Sequence, residues 1–169
     1  MDDPSRAAEG SAAPRAAVTR ARALVRPARA ADLDAVVAIE RASFADPWAP
    51  RAFSEALADP GLLFLVAEGE QGVTGYVIAW FVAGDGEIAN IAVAPPARGH
   101  GVGAALLDAA LRVGRDCGTR CVFLECRESN AVARALYASR RFVEVGRRRG
   151  YYRLPTEDAI VLKRSEGRG

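Results

Sequence analysis

The most restrictive feature of this sequence is a change of hydrophobic period at Gly61. Before it, apolar residues recur at helical spacing. After it, residues 62–68, 73–82 and 87–93 are rich in branched and aromatic side chains and are joined by short segments of glycine with acidic residues. Such segments favour tight turns between neighbouring strands. The sequence therefore predicts helices first and then an antiparallel meander of strands.

A glycine-rich turn follows the meander. Residues 98–103 read Arg-Gly-His-Gly-Val-Gly and precede a helix predicted over 102–117. Glycines let successive N–H groups point into one concavity, and a helix N-terminus adds positive potential, so the turn predicts a phosphate or pyrophosphate site. A P-loop is excluded because no Lys-Ser or Lys-Thr follows. The short dinucleotide pattern G-x-G-x-x-A matches, but a doubly wound sheet has no room to follow, and a turn without a ligand is the third alternative.

The remaining elements follow from caps, glycines and prolines. Strand–helix–strand crossovers normally return parallel, whereas the meander is antiparallel. The sequence therefore predicts a mixed α/β (α+β) fold with a mixed, mostly antiparallel sheet. The order is β-α-α-β-β-β-α-β-α-β-β, with helices over 31–43 (Asp32 as cap), 51–58 and 129–139 (Ser129 or Asn130 as cap), and further strands over 24–26, 121–127, 142–149 and 159–163.

The first 22 residues differ from the rest of the chain. They contain Ala, Arg, Pro, Ser and Gly with Val18 as the only larger aliphatic residue, so they cannot bury enough apolar surface to offset chain entropy. We expect a disordered tail over 1–22 and a folded domain over 23–165. Six arginines against three acidic residues give residues 1–30 a charge of +3, while the whole chain has +2, so the basic excess lies in the first 30 residues.

Composition argues against several classes of protein. The small net charge does not identify a nucleic-acid-binding protein, and the apolar runs are far shorter than the roughly 20 residues that span a bilayer. We expect no direct nucleic-acid contact and no membrane. Cys117, Cys121 and Cys126 without a signal segment indicate free thiols in the cytoplasm. Cys121 and Cys126 would lie on opposite faces of a strand, and His100 is the only histidine, so we expect no metal site.

Several motifs together resemble the GNAT superfamily of N-acetyltransferases. Residues 90–95 (Asn-Ile-Ala-Val-Ala-Pro), followed by Arg98-x-x-Gly101-x-Gly103, are similar to its acetyl-CoA motif, [Q/R]-x-x-G-x-[G/A] after a splayed strand. Other segments resemble the RimI-type enzymes, which acetylate the N-terminal amine of a ribosomal protein. The likeness covers roughly residues 24–164, and those segments are Phe44-x-x-Pro47-Trp48, LECR-x-SN-x-x-A-x-x-LY over 124–137, Arg148-x-x-Tyr151-Tyr152 and Glu157-Asp158-Ala159.

The resemblance implies a GNAT-like sheet flanked by helices on both faces, acetyl-CoA as co-substrate, and a protein N-terminus as acceptor, such as a ribosomal-protein alanine. It also implies that Glu125 is the general base and Tyr137 the general acid. The implied cofactor-binding residues are Ile91, Ala92 and Val93 for the acetyl-pantetheine arm, Arg98, Gly99, His100, Gly101, Val102, Gly103 and Ala104 for the pyrophosphate, and Asn130.

The two implied catalytic residues also have support from their positions. Glu125 lies in an otherwise apolar strand, where burial would raise the pKa of its carboxyl and make it a better proton acceptor. The alternative is a glutamate at the strand end, paired with Arg127 or Arg134. Tyr137, two turns after the helix cap, could protonate a departing thiolate, or could be a core tyrosine with a satisfied hydroxyl.

The sequence leaves the acceptor open. An α-amino group, with a pKa near 8, is easier to deprotonate than lysine, with a pKa near 10.4, which favours a chain terminus. Lysine or a small-molecule amine remains an alternative, as does a non-catalytic acyl-CoA-binding sensor. Trp48, Tyr151 and Tyr152 are candidates for the walls of a peptide groove. Arg141 stands where the family usually has glycine, and arginine would be strained there if the position needs a positive φ.

Overall fold

The computed structural model describes residues 23–167, and the predicted tail over 1–22 lies outside them. The order of the elements is as predicted. The strands are β1 (Leu24–Pro27), β2 (Leu62–Gly69), β3 (Gly72–Val82), β4 (Asp85–Val93), β5 (Cys121–Arg127), β6 (Val143–Arg153) and β7 (Thr156–Ser165), and the helices are α1 (Leu33–Ser43), α2 (Pro50–Ala58), α3 (Val102–Asp116) and α4 (Ala131–Ser139).

All strands belong to one seven-stranded sheet with the order β1-β2-β3-β4-β5-β7-β6. β4 and β5 pair in parallel, from Asp85 opposite Cys121 to Ile88 opposite Leu124. The other neighbouring strands pair antiparallel. The predicted mixed, mostly antiparallel sheet is confirmed, and the single parallel pair is the one that α3 connects.

Helices cover both faces of the sheet, as predicted. α1 and α2 bury one cluster of apolar side chains against β2–β4, which we call the α1 face. α3 and α4 bury a larger cluster on the opposite side, the α3 face. Apolar stripes at helical spacing on one side and alternating strand residues on the other produce these two layers. Among residues 23–167, no helix is long and apolar enough to cross a membrane.

β4 contains one extra residue. Ile78 pairs with Asn90 and Ala79 pairs with Ile88, so Ala89 has no partner on β3. A bulge of this kind shifts the alternation of side chains by one. Ile88 therefore packs on the α3 face, whereas Ala92, an even number of residues further on, packs on the α1 face.

The bulge coincides with the end of the parallel pairing. β4 continues to Val93 and β5 to Arg127, but their pairing stops at Ile88 and Leu124. The two strands separate beyond this point, and we call the gap between residues 89–93 and 125–127 the β4–β5 opening. The part of β4 that borders this opening corresponds to the splayed strand that the motif resemblance implies.

Several element boundaries differ from the sequence predictions. β6 continues to Arg153 rather than ending at 149, β7 spans Thr156–Ser165 rather than 159–163, and α1 and α4 each begin two residues later than predicted. β4 begins at Asp85, so the turn before it consists of Ala83 and Gly84 rather than residues 84–86. Both have a positive φ, 53° and 91°, which is typical of the two-residue turn that matches strand twist. Asp32 does not cap α1 with its side chain. Its carboxylate instead accepts hydrogen bonds from the Arg26 guanidinium and the Arg29 N–H.

The end of α4 explains the arginine at the usual glycine position. Arg141 has a φ of 64°, so this position does need the left-handed backbone. The Arg141 N–H donates to Ala138 O at 2.9 Å and the Phe142 N–H donates to Tyr137 O at 3.1 Å, which together form a Schellman motif. The Phe142 ring packs edge-on against the Tyr137 ring, with centroids 5.9 Å apart. The motif therefore holds the Tyr137 backbone through its carbonyl and the Tyr137 side chain through the Phe142 ring.

Candidate functional site

The glycine turn forms a concave backbone surface at the start of α3. Gly99 and Gly101 have φ values of 77° and 82°, and a Cβ on either would meet no atom within 4 Å. In the described chain, no N–H group from Gly99 to Ala104 donates to a backbone acceptor outside helices and strands. The next N–H along the chain, that of Ala105, donates to Gly101 O at 3.0 Å. Free N–H groups at a helix N-terminus suit a phosphate or pyrophosphate.

Arg98, the first residue of the motif, directs its side chain away from this turn. Its Nε donates to Val93 O at 3.0 Å and its Nη2 donates to Ser43 Oγ at 3.0 Å. His100 also contacts the backbone, with Nδ1 2.8 Å from Arg98 O. Arg98 therefore links the end of β4 to the end of α1, and the concavity is formed by backbone groups.

The predicted cofactor residues of β4 lie along the β4–β5 opening. Ile91 and Val93 pack at the edge of the α3 face, and Ala92 is buried on the α1 face. These residues pair with β3 on one side, so their backbone groups on the other side face the opening. A Cβ on Gly103 would lie 3.5 Å from Val93 and 3.5 Å from Leu136 of α4. The opening, the start of α3 and α4 therefore meet at one place.

Asn130 lies at the start of α4, beside the same opening. Its Oδ1 accepts from the Ala133 N–H at 3.1 Å, so Asn130, not Ser129, is the cap. This bond uses the side-chain oxygen and leaves the amide hydrogens to donate elsewhere.

Glu125 lies on β5 at the opening and is less buried than its apolar strand predicts. Its side chain keeps 27% of its exposure. Arg148, rather than Arg127 or Arg134, donates from Nη1 to Glu125 Oε1 at 2.8 Å. The burial expected from the strand pattern is therefore wrong, because residues of β5 alternate and Glu125 belongs to its half-buried side.

Tyr137 lies on the opposite face of β5. It is 5% exposed and belongs to the cluster on the α3 face with Cys126 and Phe142. Burial raises the pKa of its hydroxyl well above the ordinary value, so the group keeps its proton at neutral pH. Its hydroxyl has no hydrogen-bond partner among residues 23–167. Glu125 and Tyr137 therefore stand on opposite sides of the sheet, with the β4–β5 opening between them.

A buried polar cluster beside the opening was not predicted from the sequence. Glu40 of α1 is 1% exposed and accepts from the Tyr76 hydroxyl and, at 3.3 Å, from Asn90 Nδ2. Its other oxygen accepts from the Trp48 N–H at 2.8 Å. One sequence signal existed, since Glu40 follows Val36 and Ile39 at the helical spacing of the apolar stripe. The cluster ties the α1–α2 loop to β4 directly after the bulge.

Exposed aromatic side chains flank the opening on the α1 face. Trp48, 38% exposed, is linked through Glu40 to β4. Tyr151, 46% exposed, lies 4.4 Å from the Arg148 guanidinium that holds Glu125. Tyr152 is half-buried beside it. Two of the three aromatics predicted as groove walls are therefore exposed, one on each side of the opening.

The cysteines and acidic residues form no cluster suited to a metal ion within the part of the chain that the structure describes. Cys117 is exposed, Cys121 half-buried and Cys126 buried. Burial raises the pKa of the Cys126 thiol to about 11, so this thiol is protonated at neutral pH and is a packing residue.

Comparisons with known proteins show what this chain is similar to. Residues 33–142 match the acetyltransferase (GNAT) family. A ribosomal protein bS18-alanine N-acetyltransferase of Escherichia coli K12 is 35% identical over 135 residues, covering 78% of this chain and 89% of that protein. An N-alpha-acetyltransferase RimI of Mycobacterium tuberculosis is 36% identical over 126 residues, covering 72% and 78%.

The fold comparison agrees. The crystal structure of the ribosomal-protein-S18-alanine N-acetyltransferase from Escherichia coli has a TM-score of 0.79 to this chain and 30% sequence identity, covering 86% of this chain and 95% of that one. The resemblance drawn from the motifs is confirmed, and so is the fold class.

Proposed function

Because the chain belongs to the acetyltransferase (GNAT) family, we propose that it transfers the acetyl group of acetyl-CoA to the N-terminal α-amino group of a protein, with a ribosomal-protein N-terminal alanine as the first candidate. The observation that carries the proposal is the β4–β5 opening, with Glu125 on one face of the sheet and Tyr137 on the other. Acyl transfer needs a proton acceptor on the side of the amine and a proton donor on the side of the leaving group.

Acetyl-CoA fits the residues that are present. The free N–H groups from Gly99 to Ala104 suit its pyrophosphate, the backbone of Ile91–Val93 suits its amide-containing arm, and Asn130 keeps amide hydrogens to donate. When bound, acetyl-CoA supplies an activated acetyl thioester. Arg98 supports the site indirectly, because its side chain holds the end of β4.

Glu125 is the group that accepts the proton of the amine, directly or through a water molecule. It lies on the α1 face, where Trp48 and Tyr151 leave exposed aromatic surface for an extended peptide. An α-ammonium with a pKa near 8 needs less help to lose its proton than a lysine near 10.4. One half-buried carboxylate is therefore better matched to a chain terminus.

Tyr137 is the group that donates a proton to the departing sulfur. When the amine nitrogen bonds to the acetyl carbon and the carbon–sulfur bond breaks, the departing thiolate would take a proton from the Tyr137 hydroxyl, and CoA would leave as the free thiol. The Tyr137 hydroxyl carries its proton at neutral pH, as any tyrosine does, and burial raises its pKa further. It has no competing hydrogen bond in the described chain. No covalent enzyme intermediate is required, since the amine is itself the nucleophile.

The test is acetyl-CoA-dependent thiol release with short peptides that begin with Ala, Ser, Met or Gly. Matched peptides carry a blocked α-amine and an internal lysine, and mass spectrometry locates the acetyl group. We expect turnover with free termini, highest with Ala, and none with the blocked peptides.

Other outcomes assign other functions. Turnover confined to lysine peptides or small amines would keep the family and overturn the N-terminal acceptor. Saturable binding of acetyl-CoA without turnover of any amine would favour a sensor.

A further inference from the structure

Arg127, the last residue of β5, makes an unusual set of contacts with the β6–β7 hairpin. Its Nη2 donates to Leu154 O at 2.8 Å and its Nη1 donates to Pro155 O at 3.1 Å. Nη1 also donates to Glu157 Oε2 at 3.1 Å. The guanidinium plane lies 4.1 Å from the centre of the Tyr152 ring. One side chain therefore holds the turn of the hairpin, its second strand and an aromatic residue of its first strand.

The strand ladder does not hold this part of the hairpin continuously. β6 is an edge strand whose partner is β7, and their register shifts between Arg148 and Tyr152. Residues 149–151 lie in that irregular stretch, and Gly150 within it has a φ of 59°. Beyond it, the ladder resumes for two pairs, Tyr152 with Glu157 and Arg153 with Thr156. Tyr151 lies outside the ladder, next to Gly150, whose N–H donates to Asp158 Oδ1 at 2.8 Å. The position of Tyr151 therefore depends on side-chain contacts as well as on the two ladder pairs.

Glu157 extends the contact from the hairpin to α4. Its Oε1 accepts from the Ser129 N–H at 2.5 Å, while its Oε2 accepts from Arg127. These bonds hold the pKa of Glu157 below its ordinary value, with the Ser129 backbone bond as the largest cause. Arg127 and Glu157 are 22% and 17% exposed, whereas Arg147 on the same hairpin is 43% exposed.

We propose that Arg127 is a positioning residue that fixes the β6–β7 hairpin, and with it Tyr151 and Arg148, relative to Glu125, and thereby determines how tightly the acceptor segment binds. The part of the inference that concerns acceptor binding rests on the proposed function, whereas the part that concerns the position of the hairpin does not. The planar guanidinium is required because a lysine ammonium cannot donate to two carbonyls and a carboxylate while stacking on Tyr152. Arg127 itself needs no contact with the substrate.

The test compares R127K with R147K, which changes an arginine of the same hairpin whose partners are the exposed Glu128 and Glu144. For R127K we expect the KM for the acceptor peptide to rise about tenfold, with the KM for acetyl-CoA and kcat within about twofold. Hydrogen exchange of residues 150–157 should become about tenfold faster, with exchange in β2 and β3 unchanged. R147K should behave as the unchanged protein in both measurements.

Two results would overturn the proposal. The first is unchanged exchange of residues 150–157 in R127K, which would show that other contacts hold the hairpin. The second is faster exchange with an unchanged peptide KM, which would show that the hairpin position does not govern acceptor binding.

A second variant, E157Q, tests the proposal if R127K does not fold. E157Q keeps the two carbonyl bonds of Arg127 and removes the charge of one partner, and we expect a smaller change in the same direction for both readouts. If the unaltered protein acetylates no peptide terminus, the proposed function fails, and the exchange measurement alone decides whether Arg127 holds the hairpin.

Discussion

Two glutamates on the α1 face of one sheet have opposite surroundings. Glu40 is buried beneath α1 and contacts Tyr76, Asn90 and the Trp48 N–H, which are neutral donors. Glu125 lies beyond the cover of α1 and α2, is half-buried, and contacts the charged guanidinium of Arg148. The β4–β5 opening separates the two positions.

The difference indicates different roles for one residue type. A buried carboxyl with several fixed donors has its acceptor capacity used by the protein, and removing it leaves those donors unsatisfied. A half-buried carboxyl whose one charged partner, Arg148, is itself more than half exposed can exchange that partner for another cation or proton donor. We therefore assign Glu40 to the structure of the α1–α2 loop and keep Glu125 as the proposed catalytic base.

The largest expected effect is on stability, in E40A. The substitution leaves the Tyr76 hydroxyl, the Asn90 amide and the Trp48 N–H without their acceptor, which costs about 2–4 kcal/mol. The melting temperature should fall by roughly 5–15 °C, as measured by differential scanning calorimetry. E40Q, which keeps one acceptor oxygen and the shape, should lose less than half as much. Equal losses in E40A and E55A, a change to an exposed glutamate, would contradict the structural assignment.

The next effect is on catalysis, in E125Q. Because the amide cannot accept the proton of the amine, kcat/KM for an N-terminal peptide should fall by about 10² or more. The melting temperature should stay within about 2 °C, since a partly exposed ion pair contributes little stability. Acetyl-CoA binding should be unchanged. The matched control is E128Q, in which the lost carboxylate pairs with Arg147, and near-normal turnover of E125Q would end its assignment as the base.

A smaller effect on catalysis is expected for Y137F. Loss of the hydroxyl should slow thiol release about tenfold or more, with the fold and acetyl-CoA affinity unchanged. Y152F is the matched control, because burial also raises the pKa of Tyr152, to about 12, and this residue lies near Glu125 and Cys126. If Y152F slows thiol release and Y137F does not, the proton donor is on the hairpin rather than on α4.

The smallest effect concerns the Schellman motif that supports Tyr137. R141G relieves a left-handed backbone that costs a residue with a Cβ about 1 kcal/mol, and the melting temperature should rise by about 2–4 °C. R141A removes the charge but keeps the Cβ, so it should give no such gain. A rise in both variants would attribute the effect to charge rather than to backbone conformation.

Local signals were sufficient to predict the order of the helices and strands and the concave backbone surface at the start of α3. Gly61, Gly118 and the prolines mark the ends of strands and helices, and the turn over 98–103 is visible because glycine adopts a positive φ more readily than any other residue. Glu125 and Tyr137 were predicted as catalytic residues through the motifs, and these roles stay predictions, but nothing local places the two residues on opposite faces. That placement follows from the parallel β4–β5 pair and the position of α4.

Contacts between distant segments could not be predicted. The partner of Glu125 is Arg148 because β6 lies beyond β7 in the sheet and its register shifts, which no spacing along the chain encodes. Glu40 was counted within the helical pattern of α1, but its burial depends on Tyr76 and Asn90, which arrive from β3 and β4. Asn90 faces Glu40 only because the bulge at Ala89 reverses the alternation of β4.

That single unpaired residue has a consequence for how the molecule could be altered. If Ala89 paired with β3 as an ordinary strand residue instead of forming the bulge, the alternation of β4 would continue unbroken, and Asn90 and Ala92 would exchange sides with Ile91 and Val93. The polar group that Glu40 binds would then point into the apolar layer under α3, and the two strands would have no local reason to part. The unpaired Ala89 thus lies where a continuous sheet, which would separate its two faces, gives way to an opening that connects them.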